Sequence, residues 1–143
     1  ILLDQDAAFR EALHARADGL PHAVHFLGAV PHTRVADAMR RARVLVNSSS
    51  TGSVDKVVLE AMACGTLPLT CNESFVPILG ELVERLMFRL GDADDLAAKL
   101  RALLALADDE RMALGARLRE TVLRDHLLEN LVPRMLGDME AAL

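Results

Sequence analysis

Hydrophobic positions change their spacing near the middle of this chain. Up to Thr70, short apolar runs alternate with stretches in which apolar residues recur every third or fourth position. Ile1 to Leu3 reads as the end of a buried strand. Asp6 then introduces a helix with Phe9, Leu13 and Arg16 at helical spacing, and Gly19 as its C-terminal cap. Ala23 to Leu27 predicts a short strand closing at Gly28. Pro31 and Thr33 open a second helix, on which Val35, Ala38, Met39 and Ala42 repeat with helical periodicity. Val44 to Val46 predicts the next strand and Asn47 to Ser53 a polar loop. Lys56 to Cys64 predicts a helix terminated by Gly65, and Leu67 to Thr70 a further strand. Strands alternating with helices through short connections predict parallel pairing in an α/β sheet. Uniformly apolar strands predict that helices cover both faces.

Beyond a short possible strand at Met87 to Leu90, the pattern becomes helical throughout. Asp92 caps a helix whose apolar stripe is Leu96, Leu100, Leu103, Leu104 and Ala107. Asp108 and Asp109 start another, with Leu114, Leu118 and Val122 in line. The last segment carries Leu128, Leu131, Val132, Met135, Leu136 and Met139 on one face. Pro133 fits that helix if Asn130 is its cap, because first-turn N–H groups have no partner inside the helix. With no internal repeat and no low-complexity linker, the chain reads as one domain.

Composition narrows the function classes. The 143 residues are 52% hydrophobic and 26% charged, which predicts a soluble globular domain with a sizeable core. Four Phe and no Trp or Tyr leave few faces for stacking single-stranded nucleic acid, and a net charge of −5 disfavours broad polyanion binding. Nucleic acid is therefore not an expected partner. Cys64 and Cys71 read as free thiols in a reducing compartment. No apolar run reaches membrane-spanning length, and the opening Ile-Leu-Leu-Asp carries neither Met nor a basic leader. These features predict a cytoplasmic protein, and a piece of a longer one. His22, His25, His32 and His126 share no ligand spacing, so no metal is expected, and His14 reads as a solvated helix residue. Asp92 to Asp95 reads as helix capping, and the Arg40, Arg41 and Arg43 group as a solvated helix end.

Candidate chemistry concentrates in Ser48 to Gly65. Seven of the nine residues from Lys56 to Cys64 are apolar and surround the axis, which predicts a buried helix. Glu60 stands one turn on from Lys56, and a buried carboxylate without a partner is costly. Two solutions are open. Glu60 can pair with Lys56 or accept from a loop amide, or it can point into a cleft and accept hydrogen bonds from ligand hydroxyls. The preceding Ser-Ser-Ser-Thr-Gly-Ser loop favours the second. It is small and hydroxyl-rich, it presents helix N-terminal amides suited to phosphate, and it lies at the carboxyl end of a predicted parallel strand.

Leu59-Glu60-Ala61-Met62-Ala63-Cys64-Gly65 followed by Leu67-Pro68-Leu69 resembles the signature of the retaining glycosyltransferases of the GT-B fold (glycosyltransferase group 1). The resemblance extends to His25 to Val30, Ala42 to Ser48, Gly91-Asp92 and the helical tail. It implies a Rossmann-like parallel sheet, with residues 1–143 forming the later part of a C-terminal nucleotide-sugar-binding domain and 92–143 its helical tail. In that family two glutamates flank the donor. The second resembles Glu60, which is then expected to hold the ribose hydroxyls. The first, which contacts the transferred sugar, falls at position 52, and this chain has Gly52 there. Ser53, Val54 and Asp55 also replace the family's Gly-Phe-Gly. Either Asp55 and Lys56 take over sugar and diphosphate contacts, or the site has lost catalysis.

The resemblance thus implies donor contacts from Thr51, Gly52, Ser53, Asp55, Lys56 and Glu60; Val30, just past Gly28, either offers backbone groups to the base or forms a plain turn. It assigns no catalytic residue within this stretch. The donor acts as substrate, and no cofactor is expected. The acceptor-binding half of a GT-B enzyme and the family's diphosphate-binding Arg and Lys are not represented, and Leu3-Asp4-Gln5 stands where a glycine-rich turn is usual. The expected partner is therefore an N-terminal acceptor domain, with any peripheral membrane contact made through that half. The chain alone is expected to be inactive. The alternative is a degenerate, non-catalytic binding or interaction module.

Overall fold

The computed structural model describes residues 5–21 and 24–141, and the chain divides into two compact units, Ile1–Pro31 and His32–Leu143. In the first unit, α1 (Gln5–Asp18) ends in a turn closed by the Leu20 N–H on the Ala17 carbonyl at 3.0 Å. Gly19 does not adopt a left-handed conformation, so the predicted glycine cap is not formed. Phe9 and Leu13 are exposed, and the His14 ring, expected to be solvated, lies 3.8 Å from that of Phe26. The strand predicted over Ala23 to Leu27 is not present at residues 24–27, which are irregular; Ala23 and the strand end at Ile1 to Leu3 lie outside the described residues.

The second unit begins with α2 (His32–Arg41) and β1 (Val44–Asn47). It continues with α3 (Lys56–Ala63), β2 (Leu67–Thr70), two short helices α4 (Val76–Leu79) and α5 (Val83–Leu86), and the longer α6 (Ala93–Leu104), α7 (Asp108–Asp125) and α8 (Leu128–Ala141). Single 3-10 turns precede α4 and α5. β1 and β2 are parallel, with Val44 opposite Leu67 and Asn47 opposite Thr70. Met87 adds one parallel bridge to Thr70, where a strand from Met87 to Leu90 was expected. Pairing stops there because the chain turns at Gly91 (φ 77°) into the Asp92 cap.

The core forms where α3 and α7 pack on β2 and α6 packs on β1. Val58, Met62, Leu67, Leu69, Phe75, Leu86, Leu103 and Leu118 are fully or almost fully buried, each worth about 1.5–3 kcal/mol of transfer free energy. Two close approaches fix α7 against the end of α3. Gly115 faces the Gly65 main chain so tightly that a Cβ there would overlap the Gly65 carbonyl oxygen. Arg119 Nε also donates to the Ala63 carbonyl at 2.9 Å, satisfying a last-turn acceptor of α3. Gly65, at φ 76°, turns the chain directly from α3 towards β2, and Thr66 Oγ1 donates to the Met39 carbonyl of α2 at 2.6 Å.

Other helix expectations are met with adjustments. Asp92 caps α6 by accepting from the Asp95 N–H at 2.9 Å, as its position predicts. Asp95 in turn accepts from the Arg89 N–H, and this bond, with the nearby Arg89 charge, holds its carboxyl below the ordinary value of 3.8. Ala107 does not continue the α6 stripe; it is the N-cap of α7, and Leu104 is exposed. α8 starts at Leu128, so Asn130 is not its cap and Pro133 sits inside the helix. Asn130 Nδ2 instead donates to the Leu123 and Arg124 carbonyls at the end of α7. Arg43 is not merely solvated: it donates to the Leu106 carbonyl at 3.2 Å and lies 3.7 Å from Asp108.

Candidate functional site

α3 presents its N-terminus and one flank to open space instead of being enclosed. Val58, Ala61 and Met62 are buried, but Lys56 and Val57 are exposed and Glu60 is half-buried. The helix is apolar around most of its axis because its other sides meet β1, β2 and α7. Lys56 and Glu60 do not form the ion pair considered from sequence. Neither side chain has a hydrogen bond or ion pair among the described residues. The same holds for the first-turn N–H groups of Lys56 and Val57. The result is a free carboxylate, a free ammonium and unsatisfied helix amides on one short helix, a set suited to polar ligand groups.

The loop entering α3 is held by a polar network that sequence reading missed. Asn72, only 1% exposed, donates through Nδ2 to the Ser53 carbonyl at 2.7 Å and to the Asp55 carboxylate at 2.9 Å. Its Oδ1 accepts from the Ser74 N–H at 3.0 Å, capping the 3-10 turn Glu73–Phe75. The Asn72 N–H donates to Thr70 Oγ1, which itself donates to Asn47 Oδ1 at 3.2 Å. Polar groups at the ends of both strands are thus paired with each other and with the loop, which makes their burial tolerable. The available signal was Asn-Glu-Ser one residue beyond an apolar strand, a pattern that caps a turn.

This network separates the two residues nominated to replace the missing glutamate. Asp55 is the N-cap residue of α3 by position, yet its carboxylate makes no cap and turns to Asn72. It positions the loop. Lys56 remains free. Thr51 and Ser53 are exposed, with their hydroxyl oxygens 3.2 Å apart. Gly52 adopts φ 76°, and the space where its side chain would lie is open. Val30 is half-buried in the irregular end of the first unit, whereas α3 belongs to the second.

Beside the loop, at the carboxyl end of β2, is an open cleft of about 1190 Å³ lined by Ser50, Gly52, Asn72, Glu73, Phe88 and Lys99 among others. Lys56 and Glu60 lie outside its lining. The nominated residues therefore fall into two places: the loop residue Gly52 on the cleft, and Lys56 and Glu60 along α3. Cys64 and Cys71 are free thiols, and the Cys71 Sγ points to the Ser49 carbonyl at 3.7 Å. No described helix is long and apolar enough to cross a membrane.

Comparison with known proteins bears on the family and the fold. Residues 4–106 match the family model for glycosyl transferases group 1. Over 54 residues the chain is 39% identical to a phosphatidylinositol N-acetylglucosaminyltransferase component from Arabidopsis thaliana, an alignment covering 38% of this chain and 12% of that protein. The chain therefore spans a small part of this relative's length. Among solved structures, the catalytic domain of cholesterol-alpha-glucosyltransferase from Helicobacter pylori superposes with a TM-score of 0.69 at 22% identity, covering 80% of this chain and 72% of that one. The fold is the α/β, Rossmann-like arrangement of GT-B enzymes, with parallel strands, helices on both faces and a helical tail. The chain belongs to the group 1 glycosyl transferases.

Proposed function

We propose that this chain is the donor-binding portion of a retaining glycosyltransferase that takes its sugar from a nucleotide-sugar. The observation that carries the reading is the half-buried Glu60 carboxylate, which stands on α3 within the Glu-Ala-Met-Ala-Cys-Gly string and has no protein partner among the described residues. A carboxylate with two acceptor oxygens suits the paired hydroxyls of a ribose. The free amides at the start of α3 and the exposed Lys56 suit a diphosphate. The cleft beside Gly52 then receives the sugar, with the nucleotide lying along α3. Residues 1–143 act in this reading as part of a larger enzyme, because proximity catalysis needs an acceptor-binding domain opposite the donor. The relative's greater length supports that view.

One observation favours the degenerate alternative. Position 52 has no side chain, and Asp55, one of its two nominated replacements, is engaged by Asn72. Titration of the full-length protein with UDP-glucose, UDP-N-acetylglucosamine, GDP-mannose and ADP-glucose separates the readings. The donor-binding reading expects saturable binding of at least one of them, and release of its nucleoside diphosphate when acceptor is supplied. Binding without any turnover would support the degenerate binding module, and no binding would overturn the donor-binding reading and leave the interaction module. Within the first reading, Lys56→Ala is expected to weaken nucleotide-sugar binding by more than about tenfold, as loss of a charge-assisted phosphate contact does. Unchanged affinity would remove Lys56 from the diphosphate site.

A further inference from the structure

We propose that Glu73 supplies the carboxylate that contacts the transferred sugar, replacing the one absent at position 52. The inference rests on the donor-binding reading above. Gly52 and Glu73 line the same cleft and approach it from two different chain segments. The two segments are tied together next to both residues by the hydrogen bond from Asn72 Nδ2 to the Ser53 carbonyl at 2.7 Å, since Gly52 immediately precedes Ser53 and Glu73 immediately follows Asn72. No atom of the chain lies within 4 Å of where a Cβ at position 52 would stand, so the cleft is open beside the Gly52 main chain. Glu73 lines the same cleft from the segment that follows β2.

Its own chemistry fits. Glu73 is exposed and its carboxylate has no hydrogen bond or ion pair among the described residues, whereas its main chain is anchored in the 3-10 turn that Asn72 caps. A free carboxylate lining the cleft is available to accept hydrogen bonds from sugar hydroxyls. The neighbouring acids are less suited. Asp55 is held by Asn72, and Asp95 accepts from the Arg89 N–H and lies 3.5 Å from the Arg89 guanidinium. Glu84, on α5, is another exposed acid of the cleft, but no hydrogen bond ties it to the position-52 loop.

The test is calorimetric titration of the full-length protein with the four nucleotide-sugars named above and with UDP, GDP and ADP. With whichever donor binds, Glu73→Gln is expected to weaken the nucleotide-sugar about tenfold while leaving the matching nucleoside diphosphate within about twofold, the signature of a contact made only to the sugar. Glu84→Gln should leave both within about twofold. Because Glu73 is exposed, the Gln variant preserves the fold, and an unchanged thermal midpoint verifies this. Unchanged nucleotide-sugar affinity in Glu73→Gln overturns the inference. So does an equal loss for sugar and nucleoside diphosphate, or a loss that follows Glu84→Gln instead. A wild-type protein that binds none of the nucleotides overturns the donor-binding reading, and this inference falls with it.

Discussion

The end of β2 and the surface of α8 depart from the usual inside–outside rule in opposite directions. At the end of β2, Thr70 and Asn72 are polar and almost completely buried. On α8, Val132, Met135, Leu136 and Met139 are apolar and exposed, Met139 by 64%. The buried polar residues are paired with one another and with the loop before α3, so each has a defined geometric task. The exposed apolar residues follow helical spacing and meet little of the chain. A buried polar group is informative because its partners must be present, whereas an exposed apolar face states only that the helix is amphipathic.

That contrast can be broken by substitution. The largest effect is expected where the framework behind the site has no spare volume. Gly115→Ala places a methyl group against the Gly65 carbonyl, and main chain cannot yield as a side-chain tip can. The expected destabilisation is about 3 kcal/mol, read from denaturant unfolding. A variant as stable as the parent would show that α7 does not clamp the end of α3. Next comes Asn72→Ala. It removes donors to the Ser53 carbonyl and Asp55 and leaves the Ser74 N–H without its acceptor, for an expected loss of about 2 kcal/mol. Hydrogen exchange of the residue 50–56 amides should quicken at the same time, and unaltered exchange would make the network incidental to the loop. The smallest effect is expected on α8, where Met139→Gln should shift stability by less than about 0.5 kcal/mol. A loss near 2 kcal/mol would mean that this face is packed, and the contrast would disappear.

The same contrast explains what the sequence made legible. α3, β1, β2, α6 and α7 were readable because their apolar positions are buried by neighbours within the chain, so periodicity and packing report the same face. Leu67 to Thr70 matched the observed strand residue for residue. The failures have two physical sources. Residues 24–27 are apolar in pattern but pair with no strand among the described residues, because an apolar run marks burial potential and not a partner. α8 begins before Asn130 because that side chain satisfies the last carbonyls of α7 instead of its own helix. At the site, Glu60, nominated from its setting in an apolar helix, is half-buried, because that helix proved open on one flank. Asn72 was not legible. Its hold on the loop arises from the pairing of β2 with β1, which brings residues some twenty positions apart in sequence against one another.

The opened flank of α3 is what turns Glu60 from a buried group needing a partner into one available to a ligand. The most direct test is the affinity of the full-length protein and its Glu60→Gln variant for the nucleoside diphosphate of the donor it binds, measured by calorimetry. The expected result is a loss of at least about tenfold with the thermal midpoint unchanged, because in the proposed reading a charged acceptor of two ribose hydrogen bonds is replaced by a neutral amide. Equal affinity for the two proteins would contradict it and remove Glu60 from the donor site.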